Sequence, residues 1–186
     1  MEPWRGRTGF PMSSFANSRW GGTLAGLAQT DPQKALSLAN TMMVADAQPE
    51  ARNWIASSWS IKEPAAAAAW VAETPNIEDK SQLVRGITER WANKDSTATA
   101  AWLEKLPAGE TRDAAVASFS KAVVSADPAG AVAWAVTISD PTQRDQTLQL
   151  RVGEWQRIDK AAASAWLEKT TTISDAVREN LRNRKR

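Results

Sequence analysis

Five acidic residues, Asp31, Glu63, Asp95, Asp127 and Asp159, recur every 32 residues. A row of carboxylates could supply general acids and bases or a ladder of calcium ligands. The spacing argues against both. Side chains on successive helix pairs lie about 10 Å apart, too far to share one ion. Pro follows the acid at 32, 64 and 128, the arrangement of a helix N-cap with Pro at the first helical position. Two closer pairs, Glu78 with Asp79 and Glu110 with Asp113, are the material for a carboxylate-pair hydrolase, which needs acids about 5–10 Å apart across a cleft. Both pairs fall at turn-to-helix junctions and read as helix starts. The chain has no His and no Cys, so a Ser-His-Asp triad, a thiolate nucleophile and the usual zinc sites are impossible. We expect no catalysis, no cofactor and no metal.

The charged motifs are the next candidates. Arg112-Asp113 and Arg144-Asp145 recur at the starts of two helices. They read as salt bridges between neighbouring repeats, with an anion site as the functional alternative. The formal net charge is +2, yet residues 31–175 carry 15 Lys and Arg against 19 Asp and Glu. The positive balance sits at the ends, above all in the tail Arg182, Arg184, Lys185 and Arg186. Only that tail offers a contact to phosphate backbones or an anionic surface. Gly21-Gly22 lacks the Lys and Ser/Thr of a phosphate-cradling loop.

Four further ladders share the 32-residue interval. Four residues after each acid comes a small residue (Ala35, Ala67, Thr99, Ala131, Ala163), and seven after it Leu38, Trp70, Trp102, Trp134 and Trp166. A second large-residue ladder runs Leu27, Trp59, Trp91, Val123, Trp155, and a third Trp20, Arg52, Val84, Val116, Leu148, in which Arg52 is the polar exception. Each 32-residue unit therefore reads as two helices. The first starts at the acid; turns such as LPAGE at 106–110 and SDPTQ at 139–143 precede the second. Such a pair cannot bury its apolar face alone, so pairs must stack. Seven of the ten Trp fall in the two Trp ladders and read as core. Trp4 and Trp54 fall outside the ladders, and Trp4 is the better candidate for an exposed contact.

This pattern, with DPAGAVAW at 127–134 as its clearest example, resembles the junction of tetratricopeptide-like α-solenoids, in which Asp-Pro, a small residue and Trp open the first helix of each repeat. The period here is 32 rather than that family's 34, and its Gly and aromatic positions after the Trp are missing. The resemblance implies an all-α, right-handed superhelix of about five repeats plus a leading half-repeat, and a scaffold role. Residues 1–16 read as an N-terminal arm and 17–186 as one repeat domain, with units starting near 31, 63, 95, 127 and 159. The last helix, from about Ser174, stops before its anchor position, so either a charged end caps the array or the array continues in a longer chain.

With Trp102 taken as inward, the opposite side of each first helix carries Thr97, Ala100 and Glu104. Its equivalents are Ala65, Ala68 and Ala72, then Ala129, Val132 and Val136, then Ala161, Ser164 and Glu168. We take Ala68, Ala72, Ala100, Glu104, Val132, Val136, Ser164 and Glu168 as the partner-binding stripe of a non-catalytic scaffold or adaptor, suited to a protein segment or peptide. The alternatives are a purely structural or self-associating (homo-oligomeric) part of a larger repeat protein and, third, an RNA-binding helical repeat, which the acidic body disfavours. No apolar run approaches membrane-spanning length. The opening residues lack an apolar signal core, and together with the absence of Cys this tilts the expected compartment toward the cytoplasm.

Overall fold

The computed structural model describes residues 21–43, 48–74, 77 and 80–183. All regular structure among them is helical. The helices are α1 (Gly21–Ala28), α2 (Pro32–Met42), α3 (Gln48–Trp59), α4 (Pro64–Glu73), α5 (Lys80–Lys94), α6 (Ser96–Leu103), α7 (Glu110–Val123), α8 (Pro128–Val136), α9 (Pro141–Ile158), α10 (Lys160–Lys169) and α11 (Asp175–Asn183). The chain divides into two compact units, residues 1–79 and 80–186. Sequence reading expected one domain over 17–186; each unit is described by itself below.

The helix starts follow from local chemistry. The side chains of Asp31, Asp95, Asp127 and Asp159 accept the backbone N–H three residues on, from Lys34, Ala98, Gly130 and Ala162, at 2.8–3.0 Å. Each thereby satisfies one of the orphan donors of a helix N-terminus. The same residues also close the preceding helix. The N–H of Asp31, Asp95, Asp127 and Asp159 donates to the carbonyls of Leu27, Trp91, Val123 and Trp155 at 2.7–2.9 Å. A single residue thus ends one helix and begins the next. Glu63 departs from the expected cap. Its N–H donates to Trp59 O, but its side chain makes no cap hydrogen bond and instead accepts the Trp59 indole N–H at 2.9 Å. The extra methylene carries the carboxylate past the amide and toward the ring.

In the N-terminal unit, α1 packs on α2 and α3, and α3 contacts both α2 and α4. Leu24, Ala28, Ala35, Leu36, Ala39, Ala51 and Ile55 form its buried centre. In the C-terminal unit α7 lies along α5, α8 contacts α7 and α9, and α9 also contacts α10 and α11. Val132, Leu148, Val152, Trp155, Leu167 and Leu181 anchor a core there. The turn before α7 holds Gly109 at φ 144, ψ 179, a backbone conformation open to Gly and strained for any side-chain-bearing residue.

Candidate functional site

The first helix of each pair (α2, α4, α6, α8, α10) was the expected binding element, so its faces matter most. Ala35, Ala67, Thr99, Ala131 and Ala163, the fourth residue after each acid, are all fully buried. A ladder that sequence reading passed over lies one turn later: Ala39, Val71, Leu103, Ala135 and Leu167 are at most 2% exposed. These two columns define the inward direction. Trp70, Trp102, Trp134 and Trp166 sit beside it, half-buried.

Each of these Trp leans on an aromatic ring of the preceding helix. Ring centroids are 6.4 Å apart for Trp59–Trp70, 5.7 Å for Trp91–Trp102 and 6.3 Å for Trp155–Trp166, all tilted near 50°. The ladder carries Val123 where the others have Trp. There Phe119, one turn earlier, takes over and meets Trp134 edge-on at 5.3 Å. These are favourable aromatic geometries.

Because Trp is not the inward centre, the expected stripe is rotated by about 80° of helical turn. Ala68 and Val132, two of its members, are buried at 1% and 0% exposure and cannot meet a partner. Ala72, Ala100, Val136 and Ser164 are half-buried, Val136 against the C-terminal core. Glu104 and Glu168 are exposed. The outward positions are instead Thr97 and Ala101 on α6, Ala129 and Ala133 on α8, and Ala161 and Ala165 on α10. Trp4, Glu78, Asp79, Arg184, Lys185, Arg186 and the N-terminal arm lie outside the described residues, as does the side chain of Arg182.

The Arg-Asp motifs do something other than pair across repeats. Asp113 is 2% exposed, and its two oxygens accept the backbone N–H groups of Ser139 and Asp140 at 2.8 and 2.9 Å. Arg112 donates to the carbonyl and hydroxyl of Thr137 at 2.9 and 3.3 Å. Together they clamp the loop that leads into α9, where Asp140 caps the helix through Gln143 N. Asp145 accepts the Ser174 hydroxyl at 3.1 Å, while Arg144 donates to Ile138 O. Glu110 accepts the Ser81 hydroxyl at 2.7 Å, so Glu110 and Asp113 each serve the scaffold separately. Between helices, Lys121 of α7 pairs with Glu89 of α5 at 2.9 Å, both exposed.

Two arginines break apolar columns. Arg151 stands where Ile55, Ile87 and Phe119 stand elsewhere, and is 5% exposed. Its Nη1 approaches Glu154 Oε2 at 2.9 Å, an ion-pair contact without hydrogen-bond alignment, and its Nε has no partner. Burial lowers the guanidinium pKa, opposed by Glu154. Arg52 is half-buried and donates to Asn40 Oδ1 at 3.2 Å and Gln48 Oε1 at 3.4 Å. It lines an open groove of about 490 Å³ in the N-terminal unit, bounded by α2, by Trp70 of α4 and by Thr74 just after α4.

No family model, curated protein or solved structure matches this chain. Among the described residues, no three or more acidic side chains gather where an ion could be held. No helix there is long and apolar enough to cross a membrane.

Proposed function

We propose that the chain is a tetratricopeptide-like α-solenoid, a right-handed superhelix of 32-residue helix pairs. In this reading it is a non-catalytic scaffold that holds a protein segment or peptide along its first helices. The observation that carries the reading is the recurring junction. First helices begin at 32, 64, 96, 128 and 160, four of them behind an Asp that caps one helix and closes another. The acid holds nearly the same backbone conformation at every junction, φ between −125 and −153 and ψ between 68 and 93, which supports a repeated helix pair. Carboxylates engaged as caps and loop clamps, in a chain without His or Cys, favour binding over chemistry.

The surface follows the outward positions: Ala101, Ala133 and Ala165 with Glu104 and Glu168 beside them. Small side chains allow close approach of a partner backbone, and the two acids favour a segment with some positive charge. The test is affinity capture from the native host, comparing the wild-type chain with an Ala101→Arg, Glu104→Lys, Ala133→Arg variant. Loss of a partner from the folded variant is the expected result. Retention of every partner by a variant with an unchanged circular dichroism spectrum would refute this surface.

Self-association is a second reading with its own observation. Leu150 and Ile158, 55% and 54% exposed, lie two turns apart on α9. Sedimentation showing a concentration-dependent dimer that Leu150→Glu dissolves would favour it.

A further inference from the structure

The groove of the N-terminal unit has a composition that packing does not explain. Its α2 wall presents Ser37 and Asn40 above the nearly buried Leu36, and its other wall presents Trp70 of α4 and the capping Thr74. Arg52 lies between these walls, in a column whose later members, Val84, Val116 and Leu148, are buried and apolar. Half-exposed on the groove, the guanidinium is open to solvent and to a ligand. Its hydrogen bonds go to two neutral amide oxygens, Asn40 Oδ1 and Gln48 Oε1. No ion pair joins it to a carboxylate among the described residues. The amides orient the fork without cancelling its charge, and a guanidinium fork matches a carboxylate or phosphate through two parallel hydrogen bonds.

The rest of the groove suits an apolar body attached to that anion. The Trp70 ring is steadied by Trp59, which is in turn tethered by its indole N–H to Glu63. Leu36 supplies an apolar floor. The groove volume of about 490 Å³ falls within the ordinary range for small-molecule sites, roughly 300–1,000 Å³.

We propose that this groove binds a small organic oxyanion with a ring-sized apolar body, its carboxylate or phosphate on Arg52 and its body against Trp70 and Leu36. The site shares no residue with the surface assigned to a protein partner and does not depend on that reading.

Nuclear magnetic resonance of the ¹⁵N-labelled full chain tests this, with the Trp70 indole N–H as reporter, assigned through Trp70→Phe. Titrations use phenylacetate, phenyl phosphate and the uncharged phenylacetamide. At least one anion should move the Trp70 signal in a saturable way, and the amide should bind about tenfold more weakly or less. The stronger anion tells carboxylate from phosphate. Arg52→Gln should erase the preference for anion over amide. Ser37→Met, on the exposed wall, should plug the groove and abolish binding while leaving Arg52 in place. The proposal is overturned if neither anion moves Trp70, if the amide binds as well as the anions, or if folded Arg52→Gln binds like the wild type. Should Arg52→Gln fail to fold, Ser37→Met decides: unchanged binding by that variant places the ligand elsewhere.

Discussion

Asp113 is the residue whose removal should expose how the C-terminal unit is held together. Its carboxylate is 2% exposed and accepts two backbone N–H groups, from Ser139 and Asp140. A hydrogen bond to a charged group contributes about 1.5–3 kcal/mol when the partner is shielded. Ser139 and Asp140 are themselves exposed, so water can recover part of each bond once the carboxylate is gone. The lower half of the range applies to each of the two bonds, giving about 3–4.5 kcal/mol for Asp113→Ala. Asp113→Asn keeps one acceptor but turns an NH₂ group toward a second donor, so about 1.5–2.5 kcal/mol is expected. Asp145→Ala is the internal control. That side chain makes one contact, to the exposed Ser174 hydroxyl at 3.1 Å, and its loss should cost under about 1 kcal/mol. Urea unfolding at neutral pH, followed by far-ultraviolet circular dichroism and Trp fluorescence, gives all three values. The denaturant slope should stay constant if only the native state is affected. The reasoning fails if Asp113→Asn falls within about 0.5 kcal/mol of wild type, or if Asp145→Ala costs as much.

Other substitutions should raise stability. A Cβ added to Gly130 would overlap the Asp127 carboxylate as it stands, yet Ala98 and Ala162 occupy the same place behind Asp95 and Asp159 with 2.9 Å caps. The Asp127 carboxylate should rotate likewise, and Gly130→Ala should gain about 0.5–1 kcal/mol by urea unfolding; a loss would show that this cap is locked. Thr88 is fully buried and its hydroxyl has no partner, so Thr88→Val should gain about 1 kcal/mol in the same assay. Arg151→Met should gain about 1 kcal/mol by relieving an unsatisfied guanidinium, because Glu154 is already 30% exposed and can turn to water. Glu50 has a buried oxygen without a partner, and desolvation raises its carboxyl pKa. A raised folded pKa means its contribution is present below the unfolded value of about 4.3 and lost as pH rises through the folded value. Glu50→Gln should therefore exceed wild type in melting temperature at pH 7, with the difference vanishing below about pH 4.

The all-helical class and the helix starts were legible because both rest on local chemistry. An Asp before Pro or a small residue caps a helix wherever it stands, and the fourth-residue column of small side chains could sit only where helices approach closely. The orientation of the first helices was not legible from the same ladders. Periodicity groups positions into columns but does not say which column is the centre of the buried face. Trp is large enough to straddle that edge, resting half its ring on Trp59, Trp91, Phe119 or Trp155 while the rest meets solvent. The true centre includes the column of Ala39, Val71, Leu103, Ala135 and Leu167, whose mixture of sizes hid it. Asp113 was misread for a different reason. Its partners are backbone amides 26 and 27 residues away, and a backbone amide leaves no mark in a sequence.

Departures from a repeating pattern differ in what compensates them, and that difference separates drift from use. Val123 replaces a Trp, but Phe119 moves an aromatic ring one turn up the same helix and keeps Trp134 in edge contact at 5.3 Å; the core is restored from within. Arg151 replaces a large apolar residue and is drawn inside, where its counter-ion comes from Glu154 on its own helix. That repair is local and incomplete, which is why an apolar residue should serve better there. Arg52 is the third departure, and it is neither buried nor neutralised by a carboxylate among the described residues. It stands half-exposed on a groove with its fork aligned by two amides. Of the three, only Arg52 has its reason on the solvent side, so it is there that a ligand rather than a packing partner completes the pattern.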